Sequence, residues 1–225
     1  MEFSLAFEFP TDNLLRLALA LSIVCIFGMV ASALLIMHKH SAHRVRQKRQ
    51  KYFHSLLHGL LESVGDEQDF YINLLNHQIK KYPIDCVYAG VRLVENLDTE
   101  SKQRYFQIAS YLRREDAIKT CLNSTTLEHQ CIGLEAIGLG RAYGLKNNLI
   151  PCLDHPVLAP YAIEALCSLD GVMGFEQLRR LYEEKKIATS QAITALSKIN
   201  IDLLTISFAE NPNHPLAHFF NRKGI

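Results

Sequence analysis

The residues in this 225-residue chain best suited to chemistry are ten histidines and six cysteines. His54/His58 and His214/His218 are each four apart within stretches of helical apolar spacing. On a helix, that spacing sets two imidazoles on one face, where a transition metal is held. No carboxylate or thiol stands out in sequence as a third ligand beside either pair, so no metal site is expected. His38, His40 and His43 fall in a basic run. Cys25, Cys86, Cys121, Cys131, Cys152 and Cys167 form no CxxC pair of the zinc or redox kind. Cys121 and Cys152, each just before the last Leu of a first helix, are expected as small buried apolar side chains. The glycines of Gly138-Leu-Gly140-Arg-Ala-Tyr-Gly144 have the wrong spacing for GxGxxG, and the Lys-Ser/Thr of a P-loop is missing. There is no HExxH and no Ser-His-Asp elbow. No cofactor and no catalytic residue is expected.

The elements that must position these residues follow from charge and apolar patterning. The chain has 24 Lys+Arg, 23 Asp+Glu and a formal net charge of +1. Lys39, Arg44, Arg46, Lys48, Arg49 and Lys51 crowd into 39–51 with no acid among them. Residues 52–225 hold 17 basic and 20 acidic residues. An apolar fraction of 48% with 21% charged residues excludes wholesale disorder.

Leu17–Met37 (LALALSIVCIFGMVASALLIM) is free of charge. As a helix it is roughly 30 Å long, about one hydrocarbon thickness. A cleaved signal peptide fits less well, because Glu2, Glu8 and Asp12 stand where a basic n-region belongs. The acidic flank before this run and the basic flank after it place the N-terminus outside and the remainder in the cytoplasm. The six basic residues also suit anionic headgroups, at about 1 kcal/mol each near the surface. They come without interleaved aromatics or a base-reading motif, so nucleic acid is not an expected partner. Gly28 and Ser32 make a small-xxx-small spacing, a route to a homodimer through this helix.

Apolar residues continue at helical spacing through Val45, Phe53, Leu56, Leu57, Leu60 and Leu61. This predicts one long or two nearly continuous helices to about Ser63. A new start follows at Asp66, and that helix ends before Pro83. Beyond it the chain repeats. GLEAIGLG (133–140), AIEALCSL (162–169) and AITALSKI (192–199) align at a shift of 29 to 30 residues, with Ala136, Ala165 and Ala195 in register. AIKTCL (117–122), NLIPCL (148–153) and QLRRLY (177–182) precede them as first helices. Each unit reads as helix, turn, helix. Stacked pairs share a core that no single pair can bury. The recurring Ala is expected to face a neighbouring helix, and Glu164, one residue earlier, to face solvent.

Leu153-Asp154-His155-Pro156 followed by Tyr161-Ala162-Ile163-Glu164-Ala165-Leu166 resembles a HEAT repeat of the short bacterial type, the kind found also in phycobilisome lyases. The resemblance spans about residues 84–221. Where that family often carries Arg before the Ala-rich helix, this chain has His129, Pro160 and Gln191. The expected fold is all-α, a transmembrane helix followed by an α-solenoid of HEAT-like hairpins. Residues 1–13 are expected as a short extracytoplasmic N-terminus, 14–37 as the transmembrane helix, 38–63 as a basic juxtamembrane helix, and 64–225 as the repeat domain. The expected function is a single-pass scaffold at the cytoplasmic face of the cell (inner) membrane, binding membrane-associated protein partners. The pattern points to His129, Tyr161, Arg179, Arg180, Glu183 and Lys186 as contacts. The alternative, implied by the resemblance, is a lyase- or chaperone-like activity on the same fold.

Overall fold

The apolar periodicity becomes helix along the chain. A computed structural model describes residues 11–210, 216 and 217, and the side chains of 20–205, 208, 216 and 217. No strand occurs among the described residues. The His214/His218 pair, Phe219 and Phe220 lie outside them.

Helix α1 (Thr11–Glu62) is continuous. It contains one stretch long and apolar enough to cross a membrane, and the apolar side chains there, Ile23, Phe27 and Leu34 among them, are exposed. Contacts divide the chain into two units, 1–48 and 49–225. In the first, Ser32 Oγ donates to Gly28 O four residues back (2.8 Å), so this hydroxyl is satisfied within its own helix.

The second unit begins at Arg49, earlier than the expected boundary at 64. The last turns of α1 bury Phe53, Leu56, Leu57, Leu60 and Leu61, the apolar stripe visible in the sequence. At the turn that follows, Gly65 takes φ +64°, a conformation open to glycine at little cost. Helix α2 (Asp66–Lys81) has acids in its first turn and Lys80 and Lys81 in its last, which suits the helix dipole. Asn76 fastens α2 to the chain after α4: its Nδ2 donates to Tyr111 O (3.1 Å), and its Oδ1 accepts from Arg113 N (2.8 Å). Helix α3 (Pro83–Asn96) opens on a proline, whose missing N–H costs nothing there. Asp98 caps α4 (Thr99–Ala109) through Ser101 N.

Helices α5 (Arg114–Leu122) and α6 (Leu127–Leu139) pair with each other and with α3. Two 3-10 segments, Tyr143–Asn148 and Ile150–Asp154, lead into α7 (Ala159–Leu169). Then come α8 (Gly171–Glu183), α9 (Thr189–Leu196) and α10 (Ile201–Glu210). Helix α7 packs on α6, α8 and α9. The expected first helix at 148–153 is therefore a correction: those residues are 3-10, not α. Pro151 has no N–H to give, and Pro156 follows within a turn.

The alanines are buried: Ala136, Ala165 and Ala195 are 9%, 3% and 0% exposed. Ala165 sits against Gly138 so closely that a Cβ on that glycine would lie 2.8 Å from its Cα. A Cβ on Gly174 would lie 2.6 Å from Cys167 Cα. Small residues thus set the approach of α6 to α7 and of α7 to α8.

Candidate functional site

Three successive packed helices each bring one glutamate to a common cleft: Glu95 from α3, Glu135 from α6 and Glu164 from α7. The cleft has a volume of about 320 Å³. Tyr161 of α7 lines it, as do Lys102 of α4 and Lys198 just past α9. Glu135 and Glu164 occupy equivalent repeat positions, each immediately before a buried Ala, so the 29-residue shift delivers them to one side of the stack.

The carboxylates are not at ease there. Burial pushes Glu135 above the usual carboxylate range; the charges of Glu95 and Glu164 and a hydrogen bond with Glu95 add to it, and Arg92 partly offsets it. Burial likewise raises Glu164, against the pull of Lys198. The Tyr161 phenol is raised by Cys131 first, then by burial and the two glutamates. The expectation that Glu164 faces open solvent is thus corrected: it is half-buried. Half-desolvated carboxylates held close together lower their free energy when a cation or proton joins them. Perturbed groups gathered in a cleft make it the candidate site.

The six expected contact residues do not form one site. Tyr161 lines the cleft. His129 lies elsewhere on α6, its Nδ1 3.0 Å from Ser124 Oγ and its ring edge-on to Tyr88 at 6.3 Å. Arg179, Arg180, Glu183 and Lys186 gather at the end of α8. There Lys186 Nζ is 2.9 Å from Asp154 Oδ1 and 2.8 Å from Glu184 Oε2, and Arg180 is 4.0 Å from the same Asp154 oxygen. Arg179 and Glu183 are 3.9 Å apart. Lys186 holds Asp154 below the usual range, and Asp154 and Glu184 raise Lys186. This is an exposed network, each pair of which is worth little to stability.

Among the six basic residues, Lys39, Arg44, Arg46 and Lys48 belong to the first unit, Arg49 and Lys51 to the second. Arg49, one of the six residues expected at a lipid surface, has contacts within the second unit. Its Nε lies 3.3 Å from Asp85 Oδ2, and its guanidinium stacks 4.6 Å from the centre of the Tyr82 ring. That contact ties the end of α1 to the start of α3.

Four of the cysteines are held away from the reactive form. Burial pushes the Cys86 and Cys167 thiols up to about 12, away from the thiolate that reactivity requires. Burial also raises Cys131 and Cys152. Among the described residues, no group of three or more His, Cys, Asp or Glu side chains is placed to hold a metal ion. Cleft residues Glu95, Lys102, Glu135 and Lys198 were absent from the sequence reading. The signal for Glu135 lay in its equivalence to Glu164. For Glu95 there was none, because Asn96 and not Ala follows it. No family model, curated protein or solved structure matches this chain.

Proposed function

We propose that this protein is a single-pass, membrane-tethered scaffold whose HEAT-like α-solenoid docks a protein partner through the glutamate cleft. Residues 17–37 cross the cell (inner) membrane, with the N-terminus outside and the helical repeats in the cytoplasm. The length and exposure of the apolar stretch support the anchor, and the flanking charges support its direction. The packing of α3 on α5 and α6, of α6 on α7, and of α7 on α8 and α9 supports the solenoid. Tethering raises the effective concentration of the cleft for partners at the same membrane.

One observation carries the assignment: Glu95, Glu135 and Glu164, one from each of three packed helices, face a single cleft. Two of them are held above their ordinary range by burial. The partner that fits presents a Lys or Arg side chain, which relieves their repulsion and takes up the aromatic face of Tyr161.

A photo-crosslinking residue at Tyr161, in the full chain in its native membrane, tests the reading. The expected result is one discrete adduct, lost when Glu135→Lys and Glu164→Lys are combined and retained when Glu176→Lys is introduced instead. An adduct indifferent to the cleft charges rules the docking site out.

A further inference from the structure

The function proposed above leaves His54 and His58 unused, and the structure supplies what their sequence context lacked. Both lie in the last turns of α1, on the side opposite the buried stripe, with ring centres 6.4 Å apart. The third group is Glu62, one further turn along: its Oε1 lies 3.1 Å from His58 Nδ1. In the neutral imidazole, a carboxylate beside Nδ1 favours the tautomer with its proton there, which leaves the Nε2 lone pair for a metal. That is the outer-shell arrangement by which proteins aim a histidine at a metal.

Lys51, His54, Ser55, His58, Glu62 and Tyr71 line an open cleft of about 430 Å³, so an ion held there shares it with the Lys51 ammonium. Tyr71 reaches over α1 only because residue 59 is glycine: a Cβ there would lie 2.7 Å from the Tyr71 ring. Two Nε2 atoms binding one ion at roughly 2.0–2.1 Å draw the rings somewhat closer than 6.4 Å. On an exposed face this is a rotamer adjustment. Imidazole donors select Zn²⁺, Ni²⁺ or Cu²⁺ over Mg²⁺ and Ca²⁺.

We propose that His54 and His58 clamp one divalent transition-metal ion, with Glu62 as the positioning residue for His58 and solvent filling the remaining coordination positions. Two side-chain donors suffice, so the site is consistent with the lack of a larger donor cluster among the described residues.

The test uses the full chain in detergent, in a background where His38, His40, His43, His214 and His218 are glutamine, so that no other nearby histidine pair reports. Zn²⁺ is titrated calorimetrically, and Cu²⁺ is added for electron paramagnetic resonance. One ion should bind per chain, with two nitrogen donors in the Cu²⁺ spectrum. His54→Ala and His58→Ala should each weaken binding more than tenfold and reduce the nitrogen count. Glu62→Gln should weaken it about tenfold, as loss of an outer-shell carboxylate does, while keeping both nitrogens. Because all three positions are exposed, circular dichroism should match the parent. Binding that changes less than threefold in either histidine variant, or a spectrum with one nitrogen in the parent, overturns the proposal.

Discussion

Glu135 illustrates how a single charge links stability to the proposed docking. A carboxyl whose folded pKa is raised binds its proton more tightly folded than unfolded. Stability is therefore lost as pH rises from the unfolded value near 4.5 through the higher folded value. Glu135→Gln removes the like-charge contact with Glu95 and Glu164 at neutral pH. It should stabilise the protein by roughly 0.2–1 kcal/mol at pH 7, the scale of partly exposed charge pairs. The gain should vanish at about pH 4 and below, where the carboxyl is protonated in both states. Thermal melts at the two pH values measure this, and a variant less stable than the parent at pH 7 assigns Glu135 a favourable partner instead. The same substitution should weaken the Tyr161 adduct. A site held at the cost of stability is what a functional cleft looks like.

At the scale of elements, the register of α6 and α7 rests on residues with almost no side chain. Ala165 is 3% exposed and in contact with Gly138. Ala165→Asp must overfill that contact, at about 1–3 kcal/mol, and bury a polar group without a partner, at about 1–3 kcal/mol more on the protein scale. Together these approach the 5–15 kcal/mol that hold a domain folded, so the variant should melt far below the parent or not fold. Glu176→Ala, on the exposed side of α8, should stay within about 0.5 kcal/mol. Equal melts for the two would mean that α6 and α7 do not meet at this position. Helix ends were legible at the break at Gly65 and the stop before Pro83; the caps Asp98 and Asp170, each accepting from a backbone N–H three residues on, were not read from the sequence. The 148–153 helix was misread because apolar spacing was weighed above Pro151, whose missing donor tightens the chain to 3-10. The cleft was half legible. The repeat aligned Glu135 with Glu164, but their partial burial arises from helices folding around them, and no local pattern encodes that. The Glu62 contact with His58 followed the same i,i+4 rule as the histidine pair, and needed only the rule carried one turn further.

For the whole molecule, charge asymmetry across Leu17–Met37 makes a directional prediction: a reporter fused after residue 225 should be active in the cytoplasm, and activity outside the membrane reverses the orientation. The sharper prediction concerns where the folded unit begins. The sequence places the boundary at 64, at the Gly65 break. The structure places it at Arg49, because the end of α1 contributes Phe53, Leu56, Leu57, Leu60 and Leu61 to the core. Each such side chain is worth about 1.5–3 kcal/mol when fully buried. Five of them together match the whole stability of a typical domain, about 5–15 kcal/mol. The shorter fragment also loses the contact between the Arg49 guanidinium and Asp85, 3.3 Å apart. A fragment of residues 49–225 should therefore be soluble, helical by circular dichroism and cooperative in its melt, whereas 64–225 should aggregate or melt without a transition. If 64–225 folds as well as 49–225, the last turns of α1 only lean on the repeats. If only the longer fragment folds, residues 49–62 are part of the core and not a linker to it.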